Sequence, residues 1–146
     1  MRKDFFEIDF YKELKLAPPL CGLVHKVISP KGIRKLNKQD RYEYHLKGEL
    51  IQIYDNKPAE VDTGIYWVMD ICKDRDGSLK WNHYLVVVDD EGYYPVAEFL
   101  NCKDSTWIKD ALPYIKDYFN GFELEPIEVE EYRPPKQNKT RWKTGY

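Results

Sequence analysis

Asp74, Asp76 and Gly77, in the stretch KDRDGS, occupy the third, fifth and sixth places of a calcium loop. Carboxylates at such places ligate the ion, and the glycine makes the sharp turn between them. The loop also needs an oxygen ligand at its first place and a bidentate glutamate at its last. Here those places hold Cys72 and His83. Without a metal, Asp-Gly is a preferred hairpin-turn sequence, because glycine tolerates positive φ, and a hairpin is the expectation. His25, His45 and His83 are the histidines, side chains suited to proton transfer or metal ligation. No two of them stand at metal-ligand spacing, and all three fall in the middle of segments that read as strands. Cys21 and His25 could form a nucleophile and its base only with an orienting group and an electropositive pocket. A single Asp62-Thr63-Gly64 could share a proton between two aspartates only in a homodimer; it reads as a turn leading into a strand. Glycine-rich phosphate loops and nucleophile elbows are absent. No cofactor or metal is expected, and an enzyme would have to use an unmarked site near His83.

The elements that would carry these groups read as β-rich. Residues 65–72, 79–88 and 93–100 alternate or run apolar, and turn sequences at 73–78 and 89–92 separate them. Two tight turns in succession predict an antiparallel meander. Pro95 places the third strand at an edge or a bulge, where no N–H is needed. Residues 20–29 read as a further strand. Residues 41–55 alternate, with Gly48 as a break or bulge. Residues 33–40 read as a basic connection with one helical turn, and 56–64 as a loop. Residues 4–16 fit both periods; a short helix capped by Asp9 is preferred, ending before Pro18-Pro19. Over 105–120 the spacing changes to threes and fours, which predicts a helix burying Trp107, Ile108, Ala111, Leu112, Ile115 and Phe119. Pro113 predicts a kink or restart, and Gly121 a stop. Residues 122–132 alternate apolar side chains with glutamates and read as an acidic edge strand. The expected fold is α+β: an antiparallel meander or small partly open barrel with one amphipathic helix packed on it. Residues 1–132 form one domain, and 133–146 form a basic C-terminal tail.

The 146 residues are enough for a core without staples. Aromatic residues make up 15%, with 12 Tyr and 4 Trp, side chains that suit half-exposed sheet faces and interfaces. Three widely spaced cysteines offer no disulfide framework. No apolar run is long enough to span a membrane, and the first residues lack the apolar stretch of a secretory signal. A cytoplasmic location with free thiols is the expectation.

Charge is unevenly placed. Residues 1–60 hold 12 basic and 9 acidic side chains, residues 61–132 hold 6 and 16, and residues 133–146 hold 5 and none. A net −10 in the middle, beside aromatics, is the pattern of a surface that opposes a basic partner, or of an edge guarded by glutamates. The tail sets Lys136, Lys139, Arg141 and Lys143 beside Trp142 and Tyr146, a composition suited to phosphates and bases. These features predict a small non-enzymatic binding protein that acts on a protein partner, as inhibitors, immunity proteins and mobile-element accessory proteins do. The alternative is a nucleic-acid-binding module using a sheet face and the tail. The candidate partner-binding residues are Tyr93, Tyr94, Glu128, Glu130, Tyr132, Arg141, Trp142, Lys143 and Tyr146.

Overall fold

The computed structural model describes residues 6–16, 21–29, 33–35, 42–44, 47–53, 58–103 and 106–129. The expected meander forms. Strand β7 (Gly64–Lys73) pairs with β8 (Leu79–Asp89), and β8 with β9 (Gly92–Phe99), all antiparallel. On the other side of β7 lies β2 (Cys21–Ser29), which pairs in turn with β5 (Lys47–Ile53). The result is an open five-stranded sheet of order β5-β2-β7-β8-β9.

The turns obey their local sequences. Gly77 N–H bonds to the Asp74 carbonyl at 3.0 Å, and Gly77 takes φ +91°, a left-handed conformation that glycine adopts freely. At the second turn Asp89 accepts the Glu91 N–H through its side chain at 2.8 Å, the local bond that makes aspartate a turn residue. Asp76 is likewise occupied, accepting from the backbone and hydroxyl of Ser78. Among the described residues no group of three or more metal-ligating side chains is gathered.

β7 is buried along nearly its whole length, because both sheet faces are covered. On one face Tyr66 and Val68 join Val24, Tyr84 and Val86 beneath Phe10, Tyr11 and Leu14. These last belong to α1 (Phe10–Glu13) and its C-terminal end. On the other face Ile65, Trp67 and Met69 join Leu85 and Val96 beneath Trp107, Ile108, Ala111 and Ile115 of α2 (Trp107–Phe119). The alternation in β7 therefore separates two cores. Gly22 is where α1 comes closest: a Cβ there would stand 2.3 Å from the Tyr11 hydroxyl. That hydroxyl donates to the Met69 carbonyl at 2.8 Å.

Several expectations need correction. Of the segment 4–16, the described residues 6–16 hold both a strand and the preferred helix. β1 (Phe6–Ile8) pairs with β6 (Ala59–Val61), inside the segment expected as a loop, and α1 comes next with Asp9 as its N-cap. β3 (Ile33–Lys35) is a strand paired with β4 (Tyr42–Tyr44), not a helical turn. Gly48 does not end a strand but lies within β5, opposite Val27 and next to a register shift, in keeping with the bulge alternative; residues 45 and 46 lie outside the described residues. Pairs of three residues are too short to carry a readable period. Pro95 sits on an edge strand, beside a register shift at Leu85/Val86, as its missing N–H requires.

α2 runs through Pro113 without a restart. Pro113 has no N–H to give the carbonyl four residues back, and that residue, Lys109, lies on the exposed side of the helix. Leu112 is only half-buried and Phe119 is exposed, so the buried arc is narrower than the apolar stripe. Replacing Ile115, 1% exposed, by alanine should cost about 2–5 kcal/mol. Exposed Lys116→Ala should cost less than about 0.5 kcal/mol. Urea titrations of both variants check this, and equal losses would place the helix on the wrong face.

Residues 122–129 do not form the expected edge strand, and 130–132 lie outside the described residues. Within 122–129 one backbone bond reaches the sheet, Ile127 N–H to the Pro95 carbonyl at 2.7 Å. Leu124 packs toward the α2 core and Val129 toward the α1 core, so the segment straps across the outer edge of β9. Pro126 has no N–H to offer a ladder, and the bond from Ile127 beside it ties the segment down at a single point. No helix among the described residues is long and apolar enough to cross a membrane.

Candidate functional site

His25 and His83 are the histidines among the described residues; His45 lies outside them. His83 on β8 is buried, and the Trp67 indole N–H donates to its Nδ1 at 3.1 Å. Nε2 therefore carries the proton and donates to the Cys102 carbonyl at 3.0 Å. Trp107 stacks on the ring at 4.2 Å between centroids. Desolvation pushes the imidazole pKa down to about 4, against a weaker opposing effect from the Cys102 carbonyl. Both nitrogens are engaged and a tryptophan covers the ring, so His83 presents nothing to a substrate. His25 stacks on Trp67 from the next strand, and burial lowers its pKa too. Cys72 is a buried free thiol and Cys102 a half-buried one.

Asp62 of the Asp-Thr-Gly triplet is also accounted for. Lys26 pairs with its Oδ1 at 2.7 Å. The buried Tyr66 hydroxyl donates to the Asp62 carbonyl at 2.7 Å and accepts the Asp62 N–H at 3.1 Å. This ties the start of β7 to β2 through one carboxylate oxygen.

The candidate residues Tyr93 and Tyr94 lie on opposite faces of β9. Successive residues in a strand face opposite ways. Tyr93 pairs with Val88 and packs on the α1 side; Tyr94 pairs with Val87, which packs on the α2 side. The Tyr93 hydroxyl donates to the Glu13 carboxylate. Burial, reinforced by Glu13, raises its pKa to about 12. Tyr93 and Glu128 line one shallow cleft with Glu13 and Lys15. Tyr94 lines another. Glu130, Tyr132, Arg141, Trp142, Lys143 and Tyr146 lie outside the described residues.

The cleft beside Tyr94 has a volume of about 1010 Å³. One wall is the β8–β9 turn, with Asp89 and Glu91. The other is the end of α2 and the residues after it, including Phe119, Phe122, Glu123 and Glu125. The second wall is built by the helix stop. Phe122 N–H bonds to the Asp117 carbonyl and Gly121 N–H to the Tyr118 carbonyl, with Gly121 at φ +85°. This double bond pattern ends helices at glycine, and it usually packs the next apolar residue against the last turn. Here the facing positions are Lys116 and Asp117. Phe122 accordingly has no apolar partner there and is 62% exposed.

Among the described residues none that lines this cleft is basic. The negative field acts on the phenols nearby. Desolvation, then Asp89 and Glu91, raise the Tyr94 pKa; desolvation, then Asp62 and Asp89, raise that of Tyr118. Of the expected site residues that are described, Tyr93, Tyr94 and Glu128, this cleft contains Tyr94. Phe119, Phe122, Glu123 and Glu125 complete it without having been expected there, although the glycine stop before Phe-Glu-Leu-Glu is a signal for them. The chain matches no family model, no curated protein and no solved structure.

Proposed function

We propose that this protein is a non-enzymatic binding protein whose acidic, aromatic cleft takes a basic surface of a partner protein, in the manner of an inhibitor or accessory protein of the cytoplasm. One observation carries the reading: exposed Phe122 is held by a rigid helix stop among Asp89, Glu91, Glu123 and Glu125, and no cation among the described residues lines the cleft. Aromatic anchors inside a rim of like charge supply affinity and partner choice together. His83 and Asp62 are engaged in structural contacts, which supports this reading over a catalytic one.

The expected result is that the full chain retains a defined partner from native lysate with or without nuclease. Phe122→Ala and Glu123→Lys should each weaken retention about tenfold or more, as loss of an anchor does, with unchanged thermal melts. The second reading, a nucleic-acid module, rests on the basic tail with Trp142. Retention that nuclease abolishes, or that falls steeply with salt and ignores both cleft substitutions, would favour it instead.

A further inference from the structure

We infer that the cleft between the β8–β9 turn and the end of α2 selects arginine over lysine in a partner segment. The inference rests on the proposed binding role and names the chemistry of its ligand. An acidic rim alone attracts any cation and distinguishes little between them. The cleft adds exposed flat rings to that rim: Phe122, 62% exposed, and Phe119, 37% exposed, both among its lining. A guanidinium is planar and weakly hydrated. It can lie on an aromatic face while its N–H fork meets carboxylates at its edge. An ammonium is compact and strongly hydrated, so it gains the charge attraction but little from the ring.

Two structural features make the rings available. The helix stop fixes the Phe122 backbone while the polar residues Lys116 and Asp117 deny its ring an apolar contact on the last turn of α2. Phe119 meets Tyr118 edge-on at 5.2 Å, which leaves ring face uncovered by that contact. Glu123 and Glu125 follow the first ring in sequence, and Asp89 and Glu91 line the same cleft from the β8–β9 turn. The occupant is therefore an extended, arginine-bearing stretch of a partner.

The test titrates the full chain with fluorescein-labelled hexa-arginine and hexa-lysine peptides, monitored by anisotropy at low and moderate salt. Hexa-arginine should bind at least about threefold tighter, the size expected of exposed cation–ring contacts. Phe122→Ala should bring the two peptides within about twofold of each other. Glu123→Gln with Glu125→Gln should weaken both about tenfold, and Glu128→Gln, in the other cleft, should change neither. Equal affinities in the unaltered protein overturn the inference. So does a loss with Glu128→Gln as large as with the cleft pair, which would mean a diffuse field. Absence of peptide binding, including a cleft already filled by residues 133–146, overturns it as well. A partner whose capture depends on Phe122, together with equal peptide affinities, removes the arginine preference and keeps the binding role. Capture indifferent to the cleft, together with arginine selectivity, removes the role and keeps the chemistry.

Discussion

Trp107→Ala should destabilise the protein by about 3–5 kcal/mol, the range for a fully packed aromatic. Trp107 is 3% exposed and opens α2. Its ring stacks on His83 and lies within 5.6 Å, centroid to centroid, of both Trp67 and Phe99. It thus joins the helix to three strands of the sheet. Removing it loses the buried area, leaves a cavity that the flanking rings fill only in part, and admits water to His83. Trp107→Phe should cost less, since a ring remains to stack. The denaturant midpoint should fall with an unchanged slope, the mark of lost stability in an otherwise intact fold. A loss below about 1 kcal/mol would mean that Trp107 does not seat the helix.

Asp70→Asn is expected to act in the opposite direction. Asp70 lies on central strand β7 with 0% exposure. Neither carboxylate oxygen has a well-formed hydrogen bond, and burial raises its pKa to about 6, only partly offset by the Asn82 and Cys72 side chains. The native state therefore holds a proton that the unfolded chain releases between its ordinary value of 3.8 and about 6. Stability on this account is fully present below pH 3.8 and falls as pH rises through 6. His83 works the other way. Its pKa drops from 6.5 to about 4, so its contribution is present above pH 6.5 and lost as pH falls through 4. Between pH 4 and 6 the two slopes oppose each other, and the unaltered protein should show a shallow profile. Asp70→Asn removes one of them. It should stabilise by about 1–3 kcal/mol at pH 7, since a pKa unit is worth about 1.4 kcal/mol. The gain should shrink toward pH 4, exposing the full rise of stability with pH that His83 causes. Urea titrations from pH 4 to 7 measure both slopes, and a gain independent of pH would show that the Asp70 carboxylate is not the cause.

The parts of this architecture legible in the sequence are those with a long period or a distinctive turn. Ten residues of β7 and eleven of β8, joined by an Asp-Gly turn, leave little room for another reading. Thirteen residues of α2 repeat their apolar positions often enough to show a face. They do not show its width, which is why the stripe includes Leu112 and Phe119 although neither is buried. The three-residue pairs β1–β6 and β3–β4 are held by strand partners rather than by any pattern of their own. The site obeys the same rule. Tyr93 and Tyr94 are adjacent in the sequence, but the pleat of β9 sends them to opposite sides. Asp89 and Glu91 meet Phe122 and Glu123 only because α2 folds back against the sheet. Proximity in the chain indicates the types of side chain in the cleft, and tertiary packing chooses the members.

The strap over β9 also limits how many copies of this chain could join through their sheets. A sheet normally has two edges, and strand addition at both would build an open-ended fibre. β9 offers no continuous ladder at its midpoint, since Pro95 has no N–H and its carbonyl is taken by Ile127. Among the described residues of this sheet the other outer edge, that of β5 at the far end, has neither a paired strand nor a strap beside it. For strand addition, then, the described sheet is monovalent. Two copies meeting β5 to β5 about a two-fold axis would use up both available edges, and the assembly would stop at a pair.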